Sequence, residues 1–233
     1  MRIEIDIAGV LTGFIKVKGG LFFMGSNFDR DDRWPMVRVA LDDFYLSEFV
    51  VTQDLFEAVM GYNHSQFRGL RLPATNVSHD EAIAFCVALS ALLPGRKFRL
   101  PTEAEWERAA TAGCRYSYAG SDDVDEVGWY HGNSQNRPKI VGLKRPNAIG
   151  LYDMSGNVWE WCSDVYSTKY AGYPWPISSV LKNPSGRLTA GNNSVVRGGC
   201  FLFHKEVCAV RSRSRRPPAG RASYVGFRVV MEC

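Results

Sequence analysis

GLYDMSGNVWEW, residues 150–161, is the stretch from which the rest of the chain can be read. At its centre Gly156-Asn157 signals a turn, because both residue types accept the left-handed backbone that tight turns need. Two carboxylates, Asp153 and Glu160, flank that turn. Carboxylates combined with inward-facing turn carbonyls are the oxygen set that a hard cation such as Ca²⁺ takes. The competing reading has Asp153 capping the turn and Glu160 pairing with an arginine. NVWEWCSD (157–164) then has the aromatic enrichment of a strand. Trp159 and Trp161 are read as divided, one in the core and one under a loop.

Upstream lie two helices with clear start signals. Ser78 and Glu81 form a capping box ahead of AIAFCVALSALL (82–93), which Pro94-Gly95 stops. Thr102 and Glu105 form another at EAEWERAATAG (103–113), directly after Pro101. A shorter helix, QDLFEAVMG (53–61), follows Thr52 and closes at Gly61, and Cys86 is read as core packing. FIKVKGGLFFMGS (14–26) reads as a hairpin turning at Gly19-Gly20, and RVALDDFYLSEFVVT (38–52) as strand. Residues 119–150 are mostly turn chemistry, and short strands return at SVVRGGCF (194–201) and YVGFRVV (224–230).

The composition, 45% hydrophobic and 22% charged over 233 residues, is globular. Its 22 Gly and 11 Pro, with 13 Phe, 10 Tyr and 6 Trp, favour a loop-rich fold over a helical bundle. With no repeat and no linker, one domain over residues 1–233 is expected. No apolar run approaches the roughly 20 residues of a membrane span. Glu4 and Asp6 break up the N-terminal stretch, so no cleavable leader is expected within this chain. None of the six cysteines forms a Cys-x-x-Cys pair, which argues against a zinc knuckle or a thioredoxin-like site. No Ser-His-Asp arrangement, P-loop or dinucleotide fingerprint is present.

Charge is unevenly spread. From Arg197 to Arg228 seven Arg and one Lys face a single acid, Glu206, giving +7 in a chain of net +4. No helix-turn-helix or RNA-binding signature accompanies this block, so nucleic acid is not the expected partner. Its arginines are expected to lie over aromatics or to pair with acids elsewhere. Within the block, GGCFLFHKEVC (198–208) allows two readings. His204 and Lys205 could activate a thiol of Cys200 or Cys208, or the run could be a contact surface. As a straight strand it would put Cys200, Leu202, His204 and Glu206 on one face, and a Cys200–Cys208 disulfide would need a turn between them.

Four segments, KGGLFFMGS (18–26), RLPTEAEWERAA (99–110), GLYDMSGNVWEW, and VVRGG (195–199) followed by GFRVV (226–230), are similar in order and spacing to formylglycine-generating (sulfatase-modifying) enzyme domains. The resemblance runs from about Phe14 to Val230. It implies an α+β, C-type-lectin-like fold: a small twisted antiparallel sheet, two main helices and abundant irregular loops. It also implies a calcium ion held by Asp153, Glu160 and the carbonyls of Gly156 and Val158. Oxidase members of that family carry Cys-x-x-x-x-Cys beyond the RGG. Here the second cysteine aligns with Cys208, the first falls on Phe203, and Cys200 lies three residues too far upstream. Phenylalanine supplies no thiolate for copper or for a redox disulfide, so no redox cofactor is expected.

The segment from VVRGG to GFRVV also resembles the variable region of diversity-generating-retroelement proteins. Those elements mutate adenines, and an AAY codon cannot become Lys, Glu, Gln, Met or Trp. Between Cys200 and Tyr224 only Lys205 and Glu206 fall in that forbidden set. The leading expectation is therefore a non-enzymatic, ligand-binding receptor with a variable region at about 197–228, displayed at the cell surface or outside the cell. Its contact residues would be Leu202, Phe203, His204, Val207, Ser212, Ser214, Arg215, Arg216, Ala222, Ser223 and Tyr224, and its partner a protein or other macromolecule. The alternatives are a divergent sulfatase-modifying oxidase using Cys208, and a metal-binding module with a structural role in a larger complex.

Overall fold

The computed structural model describes residues 1–27, 33, 35–168, 180–185 and 193–233. Local chemistry sets the helices. Ser78 Oγ accepts the Glu81 amide while Glu81 accepts the Ser78 amide, which starts α2 (His79–Leu92). Thr102 and Glu105 do the same for α3 (Glu103–Thr111). α1 (Gln53–Met60) ends at Gly61, whose φ of 76° is the left-handed stop that glycine allows. Cys86 is buried in the apolar core, as expected.

Three small sheets surround these helices. The first orders β1 (Arg2–Ile7), β2 (Val10–Val17), β5 (Phe44–Ser47), β12 (Val230–Glu232) and β6 (Phe98–Arg99). The second orders β10 (Arg213–Arg216), β9 (Ser194–Arg197), β7 (Trp159–Val165) and β11 (Val225–Gly226). The third joins β3 (Gly20–Met24), β4 (Val37–Leu41) and β8 (Leu181–Lys182). Residues 119–150 are irregular, as predicted, apart from two single-turn helices, α4 (Val124–Val127) and α5 (His131–Ser134).

Several strand expectations are corrected. Gly19-Gly20 is not a hairpin turn: β2 pairs with β1 and β5, whereas β3 pairs with β4, so the chain changes sheet there. The 38–52 strand likewise breaks at Asp42-Asp43, passing from β4 in the third sheet to β5 in the first. YVGFRVV is two strands in different sheets, with Phe227, Arg228 and Val229 crossing between them. Trp159 and Trp161 are two residues apart in β7 and so share a face, and both are buried in one core cluster. Finally, β9 stops at Arg197, and Lys205–Cys208 is a 3₁₀ turn, so the straight-strand alternation of Cys200 to Glu206 does not occur.

Candidate functional site

The scaffold under the C-terminal segment is held by charge pairs removed from solvent. Arg228, fully buried, donates Nε and Nη2 to the two oxygens of Glu160 on β7 at 2.7 and 2.8 Å. It also donates Nη1 to the Ser47 carbonyl and Nη2 to the Tyr152 carbonyl, at 3.1 and 3.0 Å. Trp106 of α3 donates its indole N–H to the same Glu160 at 2.6 Å. At the other end of the segment, buried Arg197 pairs with Glu107 and Glu103 of α3 and donates to the carbonyl of Val210. Arg213 takes Glu103 with two bonds of 2.6 and 2.8 Å. Several arginines of the block therefore pair with acids elsewhere in the chain, as the sequence suggested. The pairing is with fixed partners, because a buried guanidinium needs both charge and hydrogen-bond compensation.

The turn at 153–157 interlocks with the RGG turn. Asp153, Gly156 and Asn157 all have left-handed backbones, with φ of 56°, 83° and 58°. The Gly156 amide donates to the Gly198 carbonyl at 2.7 Å, and the Phe201 amide to the Asn157 carbonyl at 2.9 Å. Gly198 and Gly199 have φ of 94° and 75°. Gly198 sits against Trp106, and a Cβ on Gly199 would meet the Cys208 thiol at 2.6 Å, so neither position admits a side chain.

Of the two sequence readings of this turn, the arginine pairing is met at Glu160, whose Oε2 already accepts two donors. Asp153 accepts the Gly142 amide through Oδ2 at 2.8 Å, but its buried Oδ1 has no partner among the described residues. Burial pushes its carboxyl up to about 6. Among the described residues no three His, Cys, Asp or Glu side chains cluster as a metal site. The fit to Ca²⁺ thus rests on Asp153 Oδ1, the one Glu160 oxygen that accepts a single bond, and backbone carbonyls.

Above the scaffold lies a pocket of about 170 Å³ lined by Trp159, Val196, Phe203, Val207, Arg213, Ser214, Arg216 and Tyr224. Five of these were predicted as contact residues: Phe203, Val207, Ser214, Arg216 and Tyr224. Phe203 and Tyr224 meet edge to face at 5.6 Å. Arg216 lies 5.0 Å over the Tyr224 ring and donates to its hydroxyl at 2.9 Å. Leu202, His204 and Arg215 are exposed around the pocket-forming residues in sequence, with His204 5.8 Å from the His131 ring and Arg215 over Tyr166. Ala222 and Ser223 are half-buried, the former against the main core. Ser212 is a correction: it is buried, and its hydroxyl donates to the Glu206 carbonyl at 2.9 Å, so it belongs to the scaffold. Trp159, Val196 and Arg213 were not predicted as lining. Their signal was tertiary, since β9, β10 and the start of β11 must assemble before these side chains meet.

The thiols are scaffold as well. Cys200 and Cys208 are both free and fully buried, and burial pushes each up to about 12. The turn that a Cys200–Cys208 approach requires is present, since the Cys208 thiol faces the Cys200 amide. Phe203 stands partly exposed where the oxidase pattern has its first cysteine. Both cysteines are held as buried thiols, whereas copper takes thiolates.

Small mixed sheets, capped helices and a loop-built surface anchored by buried ion pairs define a C-type-lectin-like α+β fold. The chain belongs to the sulfatase-modifying factor enzyme 1-like family, whose domain matches residues 6–233. The formylglycine-generating enzyme of Thermomonospora curvata is 34% identical over 67% of this chain, and the matched part is 54% of that enzyme's length. The chaperone protein LppX of Paenibacillus barcinonensis is 32% identical over 68% of this chain and 73% of its own. Treponema denticola variable protein 1 superposes over 100% of this chain and 99% of its own, with a TM-score of 0.90 and 27% identity. Among the described residues no helix is long and apolar enough to cross a membrane.

Proposed function

We propose that this chain is a non-enzymatic ligand-binding protein whose contact surface is the segment between Arg197 and Arg228. One observation carries the reading: six residues of that segment converge on one pocket, while the one aligned cysteine is buried and held as a thiol. The likeness to a Treponema protein named as variable supports diversification of the same segment, by a retroelement, and display outside the cell. A fixed scaffold lets exposed loop side chains change without refolding. Sequencing this locus in sibling isolates tests the diversification. Differences confined to 200–224, at the adenines of a nearby template repeat beside a reverse transcriptase, are expected. An invariant, template-free locus overturns it.

Calcium enters this reading as a structural ion at the Asp153 turn, supported by the unpartnered Oδ1 and the three left-handed residues. A rise in Tm when Ca²⁺ is added to chelator-treated protein is expected, and an unchanged Tm removes the ion. Family membership motivates the second reading, a divergent sulfatase-modifying oxidase using Cys208. It requires an aldehyde from a cysteine-containing peptide at saturating copper, and its absence by mass spectrometry eliminates that reading.

A further inference from the structure

We infer that the pocket between Phe203 and Tyr224 takes a carboxylate carried beside an apolar or aromatic group of a polypeptide partner, with Arg216 as its counter-ion. This rests on the contact-surface reading above and names its ligand chemistry.

Charge compensation differs from one arginine of the segment to the next. Arg197, Arg213, Arg221 and Arg228 all have carboxylate partners within the chain. Arg215 is exposed over Tyr166 and leaves its charge in water. Arg216 differs from both groups. It is half-buried, pairs with no carboxylate among the described residues, and its buried Nε has no acceptor. Its one hydrogen-bond partner is the Tyr224 hydroxyl, a neutral group. A partly desolvated guanidinium without an anion leaves strong donors unmade, and Tyr224 already holds one end of the fork, so little ordering remains to be done on binding.

Beside this cation the pocket has apolar walls at Trp159, Val196, Val207 and Phe203. Its volume of about 170 Å³ suits one side-chain-sized group rather than a nucleotide or a sugar chain. Arg213 also lines it, but Arg213 is paired with Glu103 and donates to the Ser167 carbonyl, so among the described residues Arg216 is the lining cation without a carboxylate. That matches a singly charged carboxylate better than a phosphate, whose second charge would go unanswered. Either a C-terminal carboxylate or a Glu or Asp side chain supplies this chemistry.

Three peptide probes separate the possibilities on the full chain, followed by NMR of the arginine Nε–H signals. They are N-acetyl-phenylalanine (terminal carboxylate), N-acetyl-Phe-Glu-amide (side-chain carboxylate) and N-acetyl-Phe-Gln-amide (neutral). At least one acidic probe is expected to shift the Arg216 signal and to bind about tenfold or more tightly than the neutral one. Whichever acidic probe binds better identifies the source. Arg216→Gln, with Tm checked, is expected to abolish the preference for acidic over neutral probes. Equal binding of acidic and neutral probes that still depends on Phe203 overturns the carboxylate inference and leaves the contact surface standing. Inorganic phosphate binding as well as the acidic probes, or no probe shifting any pocket signal, also overturns it. The contact-surface reading fails separately, if Phe203→Ala plus Tyr224→Ala leaves binding of the native partner unchanged.

Discussion

Arg228 and Arg216 lie twelve residues apart in one basic segment and face opposite physical problems. Arg228 is sealed from water, and each of its three side-chain nitrogens has a protein acceptor. Arg216 reaches a tyrosine on one side and the pocket on the other. The difference teaches that residue type does not assign role here. Arg228, whose anion is inside the chain, holds the fold, whereas Arg216, which has no carboxylate partner among the described residues, is the one we propose for a ligand.

The contrast can be broken most sharply at Arg228. Arg228→Ala leaves Glu160 buried without its counter-ion, a loss of about 3–5 kcal/mol and roughly 10 °C in Tm. The double variant Arg228→Met, Glu160→Gln is expected to recover part of that loss in thermal melts, because no lone buried charge remains. Recovery of nothing would assign the cost to packing. Next in size, Phe203→Ala plus Tyr224→Ala is expected to weaken partner binding by about 2 kcal/mol or more. Its stability cost should be smaller, since the edge-to-face pair itself contributes about 1 kcal/mol. Isothermal titration beside a melt separates the two effects.

A subtler comparison uses pH. His79 is fully buried against Trp161, its Nε2 lies 3.0 Å from the Cys162 carbonyl, and burial lowers its affinity for a proton. With the folded value below the ordinary 6.5, the unfolded chain binds the proton first as pH falls. Stability from this group is therefore complete above about 6.5 and is lost as the pH drops toward the folded value. His79→Gln should flatten that part of the Tm–pH curve, whatever its effect on Tm at neutral pH. The smallest effect belongs to Arg215, where replacement by Ala should change stability by no more than about 0.5 kcal/mol. A larger change in the melt would mean that its stacking on Tyr166 holds β10 in place.

Legibility in the sequence followed the range of the interactions. Both capping boxes and the Gly61 stop could be read because their partners lie three or four residues away. Gly19-Gly20 correctly marked a change of direction, yet no local rule says which strand receives the chain afterwards, and the answer was another sheet. The break in YVGFRVV was hidden for the same reason: it depends on Glu160, 68 residues from Arg228. At the site, the exposed apolar residues Leu202 and Phe203 stood out from the sequence, and Tyr224 was found from its place inside the RGG-to-GFR bracket. Ser212 was misread because residue type favours the surface, and only the folded position of the Glu206 carbonyl reveals it as a tie within the scaffold. The pairing of Trp159 with Trp161 needed only the two-residue period of a strand.

The anchors of the C-terminal segment have one further consequence. Glu160 lies on β7, and Glu103 and Glu107 on α3, so the acids that hold Arg197 and Arg228 lie outside the stretch between those arginines. Rewriting the exposed positions between 200 and 224 therefore leaves both terminal clamps chemically untouched. A change of side chain at an exposed position there can thus alter what the surface meets without removing either clamp's counter-charge.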